Sequence, residues 1–160
     1  MRRSHTLCEA EVDRLRNELF VARMAIIGMA PREFQDFLSG FFSCKSRKEA
    51  YEWHHKTVQK IVERVQPKLA TEMGDVEYNG PRAYCPLCGS SSDNIFQVRG
   101  FAYPEGLTRH LKGSFNARHC DVMKAALGLA CEAAEEASQG APTIGLSETP
   151  RKRGAPHAKR

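Results

Sequence analysis

The chain has 160 residues, 41% of them hydrophobic and 27% charged, the composition of a soluble chain that forms one domain or a compact core with extensions. Lys and Arg outnumber Asp and Glu by 13 to 12 over residues 1–80, match them at 6 each over 81–140, and exceed them by 5 to 1 over 141–160, so the net charge of +5 sits almost wholly in the last twenty residues. A basic isoelectric point carried by a tail excludes the simple inference of a basic folded face.

The first apolar stretch, Leu19 to Ala30, is interrupted by Arg23 and followed by Pro31 and Arg32, which fits neither a signal peptide nor a membrane span. Six cysteines without an export signal imply a reducing compartment, where a close cysteine pair binds metal or does chemistry more often than it forms a disulfide. The expected location is cytoplasmic, or nuclear in a nucleated cell.

Cys8, Val12, Leu15, Leu19, Ala22, Ile26 and Met29 follow an alternating three-four spacing, which predicts a helix with a narrow apolar seam. Thr6 with Glu9 is expected to cap its start. The seam suits packing inside a helical bundle or a coiled-coil homodimer through residues 8–29. Pro31 and Glu33 mark a short second helix bearing Phe34, Phe37, Leu38, Phe41 and Phe42, ended by Ser39-Gly40 or Ser43. Ser46 and Glu49 form a further capping box for a helix from Arg47 to Ala70, with Ala50, Trp53, Thr57, Ile61, Val65 and Leu69 on one stripe, broadened by Val58 and Val62, and a kink at Pro67. His54 and His55 are expected to be surface or satisfied side chains.

A linker at 74–83 separates this helical region, residues 1–73, from a second pattern at 84–138. There Cys85-Pro-Leu-Cys88-Gly suggests a tight knuckle, Ile95 to Val98 a strand, Pro104 to Gly113 a brief helix, and Asn116 to His119 a loop. A last helix, from Cys120 or Asp121 to about Ala137, carries Val122, Met123, Ala126, Leu127 and Ala130 on its stripe. Residues 139–160 read as a disordered basic tail. The expected fold is mainly α: an N-terminal helical bundle or coiled coil, a small ββα-like zinc module and a further helix.

Cys85 and Cys88 supply two sulfurs aimed at one point, half of a tetrahedral zinc site. His110, His119 and Cys120 are the other Cys and His residues between Asp75 and Ala130, so the remaining two ligands come from them. Cys120 is favoured over His119 as the fourth, because the start of the last helix offers backbone N–H groups to a thiolate. A redox role for Cys85 and Cys88 fits less well, since Gly89-Ser-Ser-Ser does not continue a helix.

Phe101, five residues, Leu107, two residues, His110 resembles the second half of a two-cysteine two-histidine zinc finger, over about residues 84–120. The resemblance implies that Phe101 and Leu107 form a small core and that His110 faces the metal. Twelve residues separate Cys88 from Phe101 where the family has about three, and Gly113 ends the helix before a second histidine comes round. The chain also resembles small zinc-finger-like proteins of bacterial mobile elements. Pursued onto DNA, the finger resemblance places base-reading positions at Tyr103, Gly106 and Arg109.

A site with four protein ligands leaves no open position, so it is expected to be structural and the protein not an enzyme. A zinc deaminase needs His-x-Glu and Pro-Cys-x-x-Cys, both missing here. His110, Asn116 and His119 occur in the order of a histidine-asparagine-histidine nuclease, but Arg109 stands where its acidic partner belongs. Two functions fit the residues. One is a zinc-binding accessory or regulatory protein that contacts nucleic acid, DNA before RNA, through Arg109, Lys112, Arg118 and the tail residues Arg151, Lys152 and Arg153. The other is an adaptor or inhibitor that binds a protein partner and uses zinc only to hold its shape.

Overall fold

The computed structural model describes residues 3–69, 80–91, 99–114 and 117–140. They form five α-helices, α1 (Arg3–Gly28), α2 (Arg32–Leu38), α3 (Arg47–Arg64), α4 (Glu105–Lys112) and α5 (Asp121–Gly140), with a 3-10 turn at Ser39–Ser43. Three short strands, β1 (Lys68–Leu69), β2 (Pro81–Ala83) and β3 (Phe101–Ala102), complete the described elements. The fold is mainly α, and no helix among the described residues is long and apolar enough to cross a membrane.

Helix α1 begins at Arg3, so Thr6 lies inside it and does not cap it. Neither Gly nor Pro stands in the preceding turn to stop the helix there. At its other end Gln35 donates its side-chain amide to the Ala30 carbonyl at 2.8 Å, fixing the corner into α2. Phe34, Leu38 and Phe41 enter the core and Phe37 packs against it, whereas Phe42 points outward. Ser46 caps α3 as the sequence predicts: its hydroxyl accepts the Glu49 amide, and the Glu49 carboxylate accepts the Lys45 N–H at 2.9 Å.

Helix α3 is shorter than its apolar stripe suggests. It stops at Arg64 with Val65 extended, and the predicted continuation to Ala70 with a kink at Pro67 is replaced by a strand. Proline disfavours helical backbone in the residue before it, here Gln66, so the chain leaves the helix and does not bend it. Leu69 consequently lies on β1, exposed. Strand β2 pairs antiparallel with β1 (Lys68 opposite Arg82) and with β3 (Ala83 opposite Phe101). The predicted strand at Ile95 to Val98 and the tail 141–160 lie outside the described residues.

Helix α5 is the element that joins the molecule. It packs on α1, α3 and the 3-10 turn, while α4 packs on α3 and β3. Val122, Met123, Ala125, Ala126, Leu129, Ala130 and Ala134 are buried along it, while Leu127 is only half-buried. Small alanines permit close helix approach, and a single hydrophobic core runs from Ile27 through Phe34, Ile61 and Leu107 to Met123 and Ala130. Tyr103, just after β3, donates its hydroxyl to the Val62 carbonyl of α3 at 3.0 Å, which locks the small sheet onto the helices.

Candidate metal centre

Three segments deliver four ligand atoms to a single point. Cys85 follows β2, Cys88 lies three residues on across a tight turn, His110 projects from α4, and Cys120 immediately precedes α5. Their ligand atoms all lie within 4.8 Å of one another, with Cys85, His110 and Cys120 buried and Cys88 exposed. The Sγ atoms of Cys85 and Cys120 are 3.8 Å apart, and Cys88 Sγ is 3.4 Å from His110 Nε2. The cluster can hold a metal ion.

Local backbone chemistry makes the turn. The Gly89 N–H donates to the Cys85 carbonyl and the Cys85 N–H to the Ser90 carbonyl, both at 2.9 Å, and Gly89 sits at φ +68°, a conformation that glycine adopts without strain. The Leu87 and Cys88 backbones hydrogen-bond to the Cys85 sulfur. On the other side, Gly113 at φ +73° ends α4 by donating its N–H to the Arg109 carbonyl, and the loop returns so that the Cys120 N–H meets the His110 carbonyl at 3.0 Å. The Cys120 sulfur then accepts a backbone hydrogen bond from Met123 in the first turn of α5, the helix-start stabilisation that the sequence suggested.

His110 is oriented from both sides. Its Nδ1 lies 2.6 Å from the Arg118 carbonyl, so Nδ1 carries the proton and Nε2 faces the three sulfurs. Phe101 stacks on its ring at 4.4 Å between centroids, and Leu107 is fully buried one turn earlier, the small core that the finger resemblance implies.

The electrostatics are those of a thiolate–imidazole cluster. A hydrogen bond from Cys85, together with those from His110 and the Met123 backbone, outweighs burial and lowers the Cys120 thiol to about 4. Cys85, sharing that proton with Cys120 in a buried place, is pushed up. Burial opposes a charge on His110, but hydrogen bonds to Cys120 and Cys88 and to the Arg118 carbonyl together raise it to about 9. Without a metal, one proton is therefore held between the two buried sulfurs and another on the imidazole.

Of the two alternatives for the fourth position, the structure brings Cys120 to the cluster and leaves His119 outside it. The His119 ring packs over Gly113 and meets His54 edge-on at 6.2 Å. His54, expected at the surface or satisfied, is 5% exposed, and its Nε2, like that of His119, has no hydrogen-bond partner among the described residues. The reason is tertiary: α4 lies across the face of α3 that carries His54, and both imidazoles hydrogen-bond to the backbone of Leu111. The exposed neighbour His55 takes no part.

The nucleic-acid candidates divide. Arg109 and Arg118 line one open cavity of ≈ 730 Å³ beside the cluster, together with Ser90, Phe101 and His110. Lys112, on the same helix as Arg109, faces His54 instead. Arg151, Lys152 and Arg153 lie outside the described residues, as does Asn116. Sequence reasoning missed Ser90, whose hydroxyl is 3.0 Å from Cys88 Sγ and 3.3 Å from His110 Nε2. It also missed Arg82, which comes from β2 to line the same cavity. The position of Ser90 two residues after Cys88 was a signal for it, whereas Arg82 had none. Compared with known proteins, the chain matches no protein-family model, no curated protein and no solved structure.

Proposed function

We propose that the cluster is a closed, non-catalytic Cys3His zinc site that holds the sheet, α4 and the start of α5 together, and that the surface beside it binds nucleic-acid phosphate. The observation that carries the zinc reading is the spacing of the ligand atoms. A tetrahedron with zinc–sulfur bonds of about 2.3 Å and zinc–nitrogen bonds of about 2.05 Å has sulfur–sulfur edges of about 3.8 Å and sulfur–nitrogen edges of about 3.5 Å. One sulfur–sulfur edge of 3.8 Å and one sulfur–nitrogen edge of 3.4 Å fit these values, and all four ligand atoms lie within 4.8 Å of one another. Three thiolates and one neutral imidazole are a soft donor set suited to zinc, and the ligated histidine has the backbone partner such sites need. Four protein ligands leave no place for water or substrate, hence the assignment as structural.

The phosphate reading rests on the exposed Arg109 and Arg118, which line one cavity next to that site with the buried Arg82, whose guanidinium donates to the Gly100 carbonyl at 3.2 Å. The tail's five basic residues would extend the contact. A protein-binding adaptor is the second reading, favoured by the exposed apolar residues along α1.

Elemental analysis of the wild type beside Cys88→Ser, Cys120→Ser and His119→Ala tests the first part. One zinc per chain, lost in both serine variants and kept in His119→Ala, is expected; a zinc-free wild type overturns it. Titration of labelled DNA and RNA at rising salt tests the second. Binding that weakens with salt and in Arg109→Ala is expected, and no binding even at low salt returns the function to the adaptor reading.

A further inference from the structure

Every residue from 8 to 22 of α1 is exposed, although the helix carries a continuous apolar seam there. Val12, Leu15 and Leu19 are 40%, 50% and 45% exposed and Met29 78%. The face that α1 uses within the chain meets the seam only at its C-terminal end: Ile27 and Ala30 are buried, Met24 and the seam residue Ile26 are packed against the core, and Arg23 forms an ion pair with Glu132 of α5. The helix is therefore docked at its C-terminal end and bare along the seam from Cys8 to Ala22. A projecting helix of this length is marginal on its own propensity, so its seam calls for a partner surface.

The seam keeps a seven-residue repeat. Val12, Leu19 and Ile26 take one core position (a) and Cys8, Leu15, Ala22 and Met29 the other (d), with a β-branched residue twice at a and leucine once at d, a pattern that favours two strands. The flanks carry the orientation. Glu11 and Glu18 occupy the g positions, and Arg16 and Arg23 the e positions that follow them by five residues. In a parallel pair each g side chain meets the e side chain five residues on in the other helix, which sets Glu11 against Arg16 and Glu18 near Arg23, the latter already paired with Glu132 of its own chain. In an antiparallel pair g meets g and e meets e, which sets Glu against Glu and Arg against Arg. Arg14, bonded to Glu11 at 2.6 Å and to Glu18 at 2.7 Å, holds both carboxylates on that flank. Arg16 has a side chain 76% exposed, with a loose 3.6 Å contact to Asp13, and stands at the edge of a cavity that it shares with Glu132, Glu135 and Glu136 of α5.

We infer that the chain forms a parallel, in-register homodimer through the α1 seam between Cys8 and Ala22, with Glu11 of each copy facing Arg16 of the other. The occupant of the seam is a second copy of this chain because the charges along its flank complement themselves in one orientation only. The inference stands independently of the metal.

The test uses the full-length, metal-loaded chain. Sedimentation equilibrium should give twice the chain mass at tens of micromolar, and Leu15→Glu with Leu19→Glu, both exposed and so harmless to the core, should give the single mass with an unchanged helical spectrum. Glu11→Arg should weaken the dimer at least about tenfold, and adding Arg16→Glu should restore it. Under diamide, which takes up the two thiol hydrogens as the disulfide forms, Cys8 should cross-link two chains in the wild type and fail to do so in Cys8→Ser. A monomer at all concentrations overturns the inference. So does a dimer that tolerates Glu11→Arg or leaves Cys8 uncross-linked, since an antiparallel pair places the two Cys8 residues at opposite ends.

Discussion

The imidazole of His110 and the backbone carbonyl of Arg118 lie 2.6 Å apart, so a main-chain atom fixes which ring nitrogen faces the three cysteines. The Arg118 side chain is left available for ligand contact, since it is exposed, lines the cavity and makes only a loose 3.6 Å ion pair with Asp121. Arg118→Ala is therefore expected to keep one metal ion per chain while weakening nucleic-acid binding about threefold to tenfold and lowering its salt dependence. His110→Ala should lose the metal. Elemental analysis beside a salt titration separates the two effects.

Metal affinity should rise with pH. In the metal-free site His110 is raised to about 9 and the Cys85–Cys120 pair retains a proton, and these protons must leave before His110 and both buried sulfurs can bind. Affinity is expected to fall as the solution is acidified from pH 9, by about tenfold per unit for each proton displaced. Competition against a chelator of known pH dependence measures it, and a flat profile between pH 6 and 9 would sink the proposed protonation states.

His54 gives the fold its own acid sensitivity. Burial, reinforced by nearby His119 and Lys112, lowers it to about 4. A histidine depressed in the folded state contributes stability that is complete above its unfolded value near 6.5 and lost as pH falls towards 4. Acidification from pH 8 to 5 should cost about 2 kcal/mol through this residue. Urea unfolding of the wild type beside His54→Gln isolates that share, because the variant retains every other titrating group; equal pH slopes would refute it.

Two glycines with the same backbone sign should respond differently to alanine. At Gly89, φ +68°, an added methyl group would find no atom within 4 Å, whereas at Gly113, φ +73°, it would meet the His119 ring at 2.6 Å. Gly89→Ala should cost about 1 kcal/mol, the ordinary strain of a side chain in left-handed backbone. Gly113→Ala should cost more, about 2–3 kcal/mol, because the ring between α4 and α3 must also move. Thermal unfolding of both variants compares them, and equal losses would show that His119 moves aside freely.

The helices and most of the ligand set were legible in the amino-acid sequence. Apolar periodicity and the Ser46–Glu49 box located α1 and α3, Pro104 and Gly113 bounded α4, and Cys85, Cys88, His110 and Cys120 stood out because metal ligation requires particular side chains at particular spacings. These signals are local, carried by residues close in the chain. Long-range packing settled the rest. It placed Cys120 at the cluster and His119 outside it, a choice the sequence favoured from the start of α5 but left open, because the return of the loop from Gly113 turns one of two adjacent side chains to the cluster and the other to His54. It buried His54, brought Arg82 beside Arg109 and Arg118, and made α5 part of the same core as α1 and α3. Each of those outcomes depends on contacts between residues far apart in sequence, where one chain segment sets the solvent exposure and polarity of another, and no local pattern records that.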